Sequence, residues 1–135
     1  MLGSCLCKGI KYEVRALAGP IVHCHCTTCR KAHAAAFAST ARVHREDFLI
    51  VSGQHQLKKC ESSLGKFRYF CQNCGTHIYA ELLNQPQIIL RVATLDDSPE
   101  KYPAASIWVS HAVPWLNYGP DVQCFAEVPN LVKDF

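Results

Sequence analysis

Cys24-His25-Cys26-Thr27-Thr28-Cys29-Arg30 puts three cysteines in a C-x-C-x2-C array. Cysteine thiolates are good zinc ligands. A closed structural zinc site takes four protein ligands, whereas a catalytic one takes three and keeps one position open. Three ligands from one short stretch therefore read as a zinc site of the open type. Cys24 and Cys26 are two apart, so on an extended chain they share a face. The reading depends on where the other cysteines go.

The chain has nine cysteines. Cys5-x-Cys7 and Cys71-x2-Cys74-Gly75 form two more groups. The second has a zinc-knuckle spacing, in which two thiolates hold one metal from a tight turn and Gly75 allows the backbone to turn. A secreted disulfide scaffold would want an even number and a signal peptide. Cysteines one or two residues apart would also close small, strained disulfide rings. Clustered pairs in a reducing cytosol bind metal instead. Two assignments are open. Cys26/Cys29 with Cys71/Cys74 would make an ordinary zinc ribbon and leave Cys5, Cys7 and Cys24 over. Cys5/Cys7 with Cys71/Cys74 would make a four-thiolate site and leave Cys24, Cys26 and Cys29 as a separate site, using every clustered thiol.

Such a three-thiolate zinc could take an exogenous ligand. Water is the default, but zinc is borderline soft and a coordinated thiol is deprotonated outright. A thiolate is the nucleophilic form of sulfur. The site could thus activate a small thiol toward an electrophilic carbon.

Length and composition set the frame. A chain of 135 residues is expected to form one domain, 1–135, with a real core. Hydrophobic content of 49% against 19% charged is an ordinary globular balance. No apolar run is long enough to span a membrane. Met1-Leu2-Gly3-Ser4-Cys5 has a lipoprotein-like order, but no charged or apolar region precedes it, so no secretory signal is expected. A cytoplasmic protein is the expectation. The formal charge of +3 omits metal; seven thiolates and two Zn²⁺ ions would shift it by −3, to near zero. Nucleic acid is therefore not expected as a partner.

The rest of the chain reads as short strands separated by turns. Ile10, Tyr12 and Val14 alternate against Lys11 and Glu13. Further strands are expected at 21–26, 37–43, 48–52, 57–60, 66–71, 76–81, 87–93 and 106–110, with a helical turn at the alanine-rich 32–36. Asp96-Asp97-Ser98-Pro99 is turn chemistry rather than a catalytic pair. The remainder, with Pro114, Pro120 and Pro129, reads as irregular. The pattern predicts a mainly β, antiparallel fold with little helix.

Taken in order, these residues resemble the family of glutathione-dependent formaldehyde-activating enzymes, which includes the centromere protein V domain. The resemblance is carried by Gly3-Ser4-Cys5-Leu6-Cys7, His25-Cys26-Thr27-Thr28-Cys29-Arg30-Lys31, Phe70-Cys71-Gln72-Asn73-Cys74-Gly75-Thr76, Ala93-Thr94-Leu95-Asp96-Asp97, Ile107-Trp108-Val109 and Pro114-Trp115. It implies a β-tent fold, as in methionine-R-sulfoxide reductases. It implies a structural zinc on Cys5, Cys7, Cys71 and Cys74 and a catalytic-type zinc on Cys24, Cys26 and Cys29. The implied activity is that of a carbon–sulfur lyase, in reverse the condensation of glutathione with formaldehyde to S-hydroxymethylglutathione, so the implied partner is a small thiol. Ala34 and Ser106 stand where members often have glycine and histidine, and both are expected near the open site.

Other residues receive plainer readings. Cys60 and Cys124 are expected to be buried as small hydrophobes. His23 and His25 are expected at the surface or hydrogen-bonded. Arg30 and Lys31 could meet the carboxylates of a glutathione-like thiol or face solvent. Trp108 and Trp115 could line a pocket or join the core. Two rival functions remain: a zinc-stabilised binding module, and a sulfoxide reductase, for which Cys124 is the late candidate cysteine.

Overall fold

The computed structural model describes residues 1–116 and 124–127. In chain order, the elements are β1 (Leu2–Ser4), β2 (Lys11–Val14), β3 (Ile21–Cys24), α1 (Thr27–His33), β4 (Ala38–His44), β5 (Phe48–Ser52), β6 (Leu57–Ser63), β7 (Lys66–Cys71), β8 (His77–Leu82), β9 (Gln87–Arg91) and β10 (Pro103–Ile107). A small sheet has the order β1-β2-β5, and a large one runs β10-β3-β4-β9-β8-β7-β6. The fold is mainly β, with short helical elements.

Pairing is antiparallel except between β10 and β3, which run parallel. Residues 92–102 carry the chain back across the sheet before β10 begins. A hairpin turn cannot make a parallel pair, but a crossover of this kind can.

Alternation places the core. In β2, Tyr12 and Val14 are buried while Lys11 and Glu13 face solvent. They pack with Ile10, Val43, Ile78, Tyr79, Ile88 and Leu90 between the sheets. Their rows alternate with a second set on the opposite face of the large sheet. There Val22 pairs Thr40, Thr40 pairs Arg91, Ile89 pairs Ala80, and Ala80 pairs Arg68. Successive residues of a strand point to opposite faces. One face of the large sheet is therefore apolar core, and the other carries Arg42, Lys66, Arg68 and Arg91.

Several local expectations need correction. The strand expected at 21–26 stops at Cys24, because Cys26 caps α1 with its side chain accepting from the Cys29 amide. The helix lies at Thr27–His33, earlier than the alanine-rich stretch, and takes Cys29 with it. Thr27 and Thr28 begin the helix behind that sulfur cap. The strand expected at 106–110 is β10 followed by a 3₁₀ turn at Val109–His111. The irregular stretch expected around Pro120 and Pro129 lies outside the described residues.

Candidate metal centres and the cavity beside one of them

The structure gathers Cys5, Cys7, Cys71 and Cys74 into one quartet, and Cys24, Cys26 and Cys29 into a separate trio, with the sulfurs of each group within 4.8 Å of one another. The ribbon pairing is not formed. In a tetrahedral site with metal–sulfur bonds of about 2.3 Å the sulfurs stand about 3.8 Å apart. Cys5 and Cys7 are 3.5 Å apart and Cys7 and Cys71 are 3.9 Å apart. Both groups could hold a metal ion.

Two tight turns build the quartet. In the first, the Lys8 amide donates to the Cys5 carbonyl at 2.8 Å. In the second, the Gly75 amide donates to the Cys71 carbonyl at 2.8 Å, with Gly75 at φ 74°. Thr76 ties the turns together. Its hydroxyl oxygen accepts from the Leu6 amide at 3.1 Å and lies 3.2 Å from the Cys74 sulfur, to which it can donate. The Ile10 amide donates to the Cys5 sulfur at 3.2 Å. Without metal, burial pushes the Cys5 thiol up to about 11. Cys74 is drawn down to about 6, where burial opposes and hydrogen bonds from Thr76 and the Cys7 amide prevail. Cys5 and Cys71 are buried in the main core.

The trio forms where β3 gives way to α1. Cys24 ends the strand, Cys26 caps the helix, and Cys29 lies one turn inside it. The Cys29 amide donates to the Cys26 sulfur at 3.3 Å. Without metal, negative charge collects on Cys29, held far below the ordinary cysteine range by hydrogen bonds from Cys24 and Cys26 and then by Arg68 and Arg91. Hydrogen bonding to Cys26 and Cys29 pushes Cys24 far up. All three thiols open on a cavity of about 430 Å³ over the cationic face of the large sheet.

Arg68 and Arg91 form the deep part of that cavity, at 1% and 4% exposure. Arg68 Nε donates to Ser62 Oγ at 2.9 Å, and its Nη2 stands 3.7 Å from the Cys29 sulfur. Burial lowers the Arg91 guanidinium to about 10, so it remains charged at neutral pH. Trp108, with a left-handed φ of 60°, and His111 lie toward the mouth. Among the described lining residues there is no Asp or Glu.

Other expectations resolve unevenly. Arg30 turns back to the His25 carbonyl and Thr27, and Lys31 is exposed; neither lines the cavity. His25 is fully buried, and His23 stacks on Phe37 at 4.2 Å. Cys60 and Cys124 are exposed rather than buried. Cys60 sits on β6, an edge strand whose residues are mostly exposed. Trp108 lines the cavity, whereas Trp115 is largely exposed. Ser106 is fully buried but lies in register with His23, off the cavity, while Ile107 beside it faces in. Ala34 ends α1 in the left-handed conformation at φ 48°, which explains on backbone grounds why glycine suits that position. Arg68 and Arg91 were missed by the motif reading. The available signal was an arginine inside each of two apolar strands, Phe67-Arg68-Tyr69 and Ile89-Leu90-Arg91.

A family model described as glutathione-dependent formaldehyde-activating enzyme matches residues 1–111, which include every clustered cysteine and every residue described as lining the cavity. An Aspergillus flavus protein with the provisional name of glutathione-dependent formaldehyde-activating enzyme is 30% identical over 81 residues, covering 58% of this chain and 42% of that protein. An uncharacterised lyase of Schizosaccharomyces pombe is 33% identical over 82 residues, covering 61% of this chain and 58% of that protein. The chain thus spans about half the length of these relatives. A crystal structure of a Rhodobacter sphaeroides protein superposes with a TM-score of 0.63 at 25% identity, covering 73% of this chain and 90% of that one. No helix among the described residues is long and apolar enough to cross a membrane.

Proposed function

We propose a function from one premise: the chain belongs to the glutathione-dependent formaldehyde-activating enzyme family. On that premise it is a carbon–sulfur lyase acting on a glutathione adduct such as S-hydroxymethylglutathione. The observation that carries the reading is the unequal setting of the two clusters. The trio opens on a large cationic cavity, while the quartet is tied into turns beside the core.

Cys5, Cys7, Cys71 and Cys74 would hold a structural zinc, and Cys24, Cys26 and Cys29 a second one. At the trio, zinc would supply a Lewis-acid centre with one open position that keeps a substrate sulfur as thiolate. In the lyase direction the carbon–sulfur bond breaks, its electron pair stays on sulfur, and the hydroxyl proton leaves as the formaldehyde carbonyl forms. Arg68, 3.7 Å from the Cys29 sulfur, steadies negative charge on the trio. His111 is the one imidazole among the described lining residues, and we assign it to take the hydroxyl proton. Ile107 and Trp108 supply an apolar part of the cavity wall. Residues 1–135 act as one domain in this reading, and cysteines free of disulfide suit the cytoplasm.

The glutathione–formaldehyde reaction proceeds without an enzyme, so the test is acceleration. Zinc-loaded protein should raise the exchange rate between the free and condensed forms, followed by NMR, and Cys26→Ser should return it to the uncatalysed rate with the fold retained. An uncatalysed rate with the fully loaded wild type would overturn the enzyme reading in favour of a zinc-stabilised binding module.

A further inference from the structure

Arg68 Nη1, Arg91 Nε and Arg91 Nη2 are buried and have no hydrogen-bond partner among the described residues. This is unusual for guanidinium groups. A buried charge is costly unless it is paired, and buried N–H groups are costly unless they donate. Among the described residues, the acceptors bonded to these two side chains are Ser62 for Arg68 Nε and the Cys29 sulfur for Arg68 Nη2. Ser62 is neutral. The trio does not balance the charge either. Three thiolates and one divalent metal sum to −1, and the two guanidiniums bring the group to +1. Arg42 and Lys66 add positive charge on the same face, with no carboxylate among the described lining residues.

The two arginines also stand on one face of the sheet. Arg68 on β7 pairs Ala80 on β8, which pairs Ile89 on β9, and Arg91 is two residues beyond Ile89. A two-residue step keeps Arg91 on the same face. Both side chains reach the cavity that the trio opens on. Planar guanidinium forks match a carboxylate with paired, charge-assisted hydrogen bonds.

We propose that Arg68 and Arg91 form a carboxylate subsite, so that the substrate is an adduct of a mercapto acid whose carboxylate seats on these guanidiniums while its sulfur lies at the trio. This rests on the reading that substrate sulfur meets the trio, and it adds where the thiol's carboxylate binds. Arg68 touches both parts, since its Nη2 faces the Cys29 sulfur and its Nη1 is left for the anion.

Binding to zinc-loaded protein tests it, with 3-mercaptopropionate, 2-mercaptoethanol and plain propionate titrated by calorimetry and zinc content measured alongside. The wild type should bind 3-mercaptopropionate at least about tenfold more tightly than 2-mercaptoethanol, as expected for a charge-assisted pair. Arg91→Gln should erase that preference, leaving the two thiols within about twofold of each other. Equal wild-type affinity for the two thiols, or a preference that survives Arg91→Gln at full zinc content, would overturn the subsite. Should Arg91→Gln load less zinc, Arg91→Lys replaces it, since lysine keeps the charge but lacks the fork. Loss of the preference in Arg91→Lys supports the subsite, and its retention overturns it. Propionate separates this proposal from the sulfur reading. Arg91-dependent binding of propionate, with neither thiol gaining from its sulfur, would support the subsite and sink the sulfur reading. Thiol binding indifferent to any carboxylate would do the reverse.

Discussion

The quartet and the trio differ first in what surrounds their sulfurs. Cys5 and Cys71 sit in the apolar core between the sheets, and their turns are closed by backbone hydrogen bonds and by Thr76. Cys24 and Cys29 are about as buried, yet they face a cavity and two guanidiniums. Cys71 and Arg68 stand on the same short strand, β7, three residues apart and so on opposite faces. Burial alone therefore does not separate a structural site from a reactive one. What separates them is whether the last coordination position is filled by protein or left to a cavity.

The largest expected effect breaks the quartet. Structural zinc sites contribute roughly 10–16 kcal/mol of apparent binding energy in small zinc-binding peptides, as much as a domain's whole net stability. Cys71→Ser should therefore leave the protein unfolded or insoluble, read by circular dichroism and metal content. Cys26→Ser should lose only the trio's metal and keep the fold. Equal collapse of both variants would show that the two clusters are alike after all.

A smaller effect exposes the cationic side. His33 lies at the end of α1, its ring edge-on to His77 at a centroid distance of 4.8 Å. Burial, and then the charge of Arg91, push its pKa down to about 3. The unfolded value is about 6.5. A histidine with a depressed folded pKa stabilises fully above the unfolded pKa, and that stability is lost as pH falls from about 6.5 toward 3. The slope is at most about 1.4 kcal/mol per pH unit within that window, and smaller once solvent screening of this half-buried ring is counted. His33→Leu should flatten the loss by that amount between pH 6 and 4 in urea unfolding. Metal release on acidification affects both proteins, so the difference isolates the imidazole. Identical slopes would mean that neither burial nor the nearby Arg91 charge holds His33 neutral.

The sequence disclosed the two clusters more completely than their surroundings. Cysteine spacing is a local signal, and Cys5/Cys7 with Cys71/Cys74 needed only a count of leftover thiols to favour it. The β class was equally legible from Ile10, Tyr12 and Val14, because alternation directly reports a half-buried face. The cations of the cavity were not legible in the same way. Arg30 and Lys31 lie beside the array in sequence but turn away from it, since Arg30 satisfies the His25 carbonyl. Arg68 and Arg91 reach the trio only through the register of β7, β8 and β9, which no local motif encodes. The helix was misplaced for a related reason. Alanine propensity at 32–36 is a weak preference, whereas the Cys26 sulfur cap fixes the start at Thr27.

The smallest effect compares the turns that close each cluster. Gly75 ends the Cys71–Cys74 knuckle at φ 74°, and a Cβ there would meet nothing within 4 Å. Ala34 ends the trio's helix at φ 48°, in the same left-handed region, but already carries a Cβ. A side chain in that region costs about 1–2 kcal/mol, partly offset by the lower chain entropy of alanine relative to glycine when unfolded. Gly75→Ala should therefore destabilise the loaded protein by about 1 kcal/mol, and Ala34→Gly should stabilise it by a similar or smaller amount. Urea midpoints at saturating zinc check both signs. The quartet turn has already taken the residue its backbone prefers, while the trio's helix retains an alanine there. A gain from Ala34→Gly without change in zinc content would locate that preference in the backbone alone. A fall in the trio's metal content would instead make Ala34 part of how α1 presents Cys29.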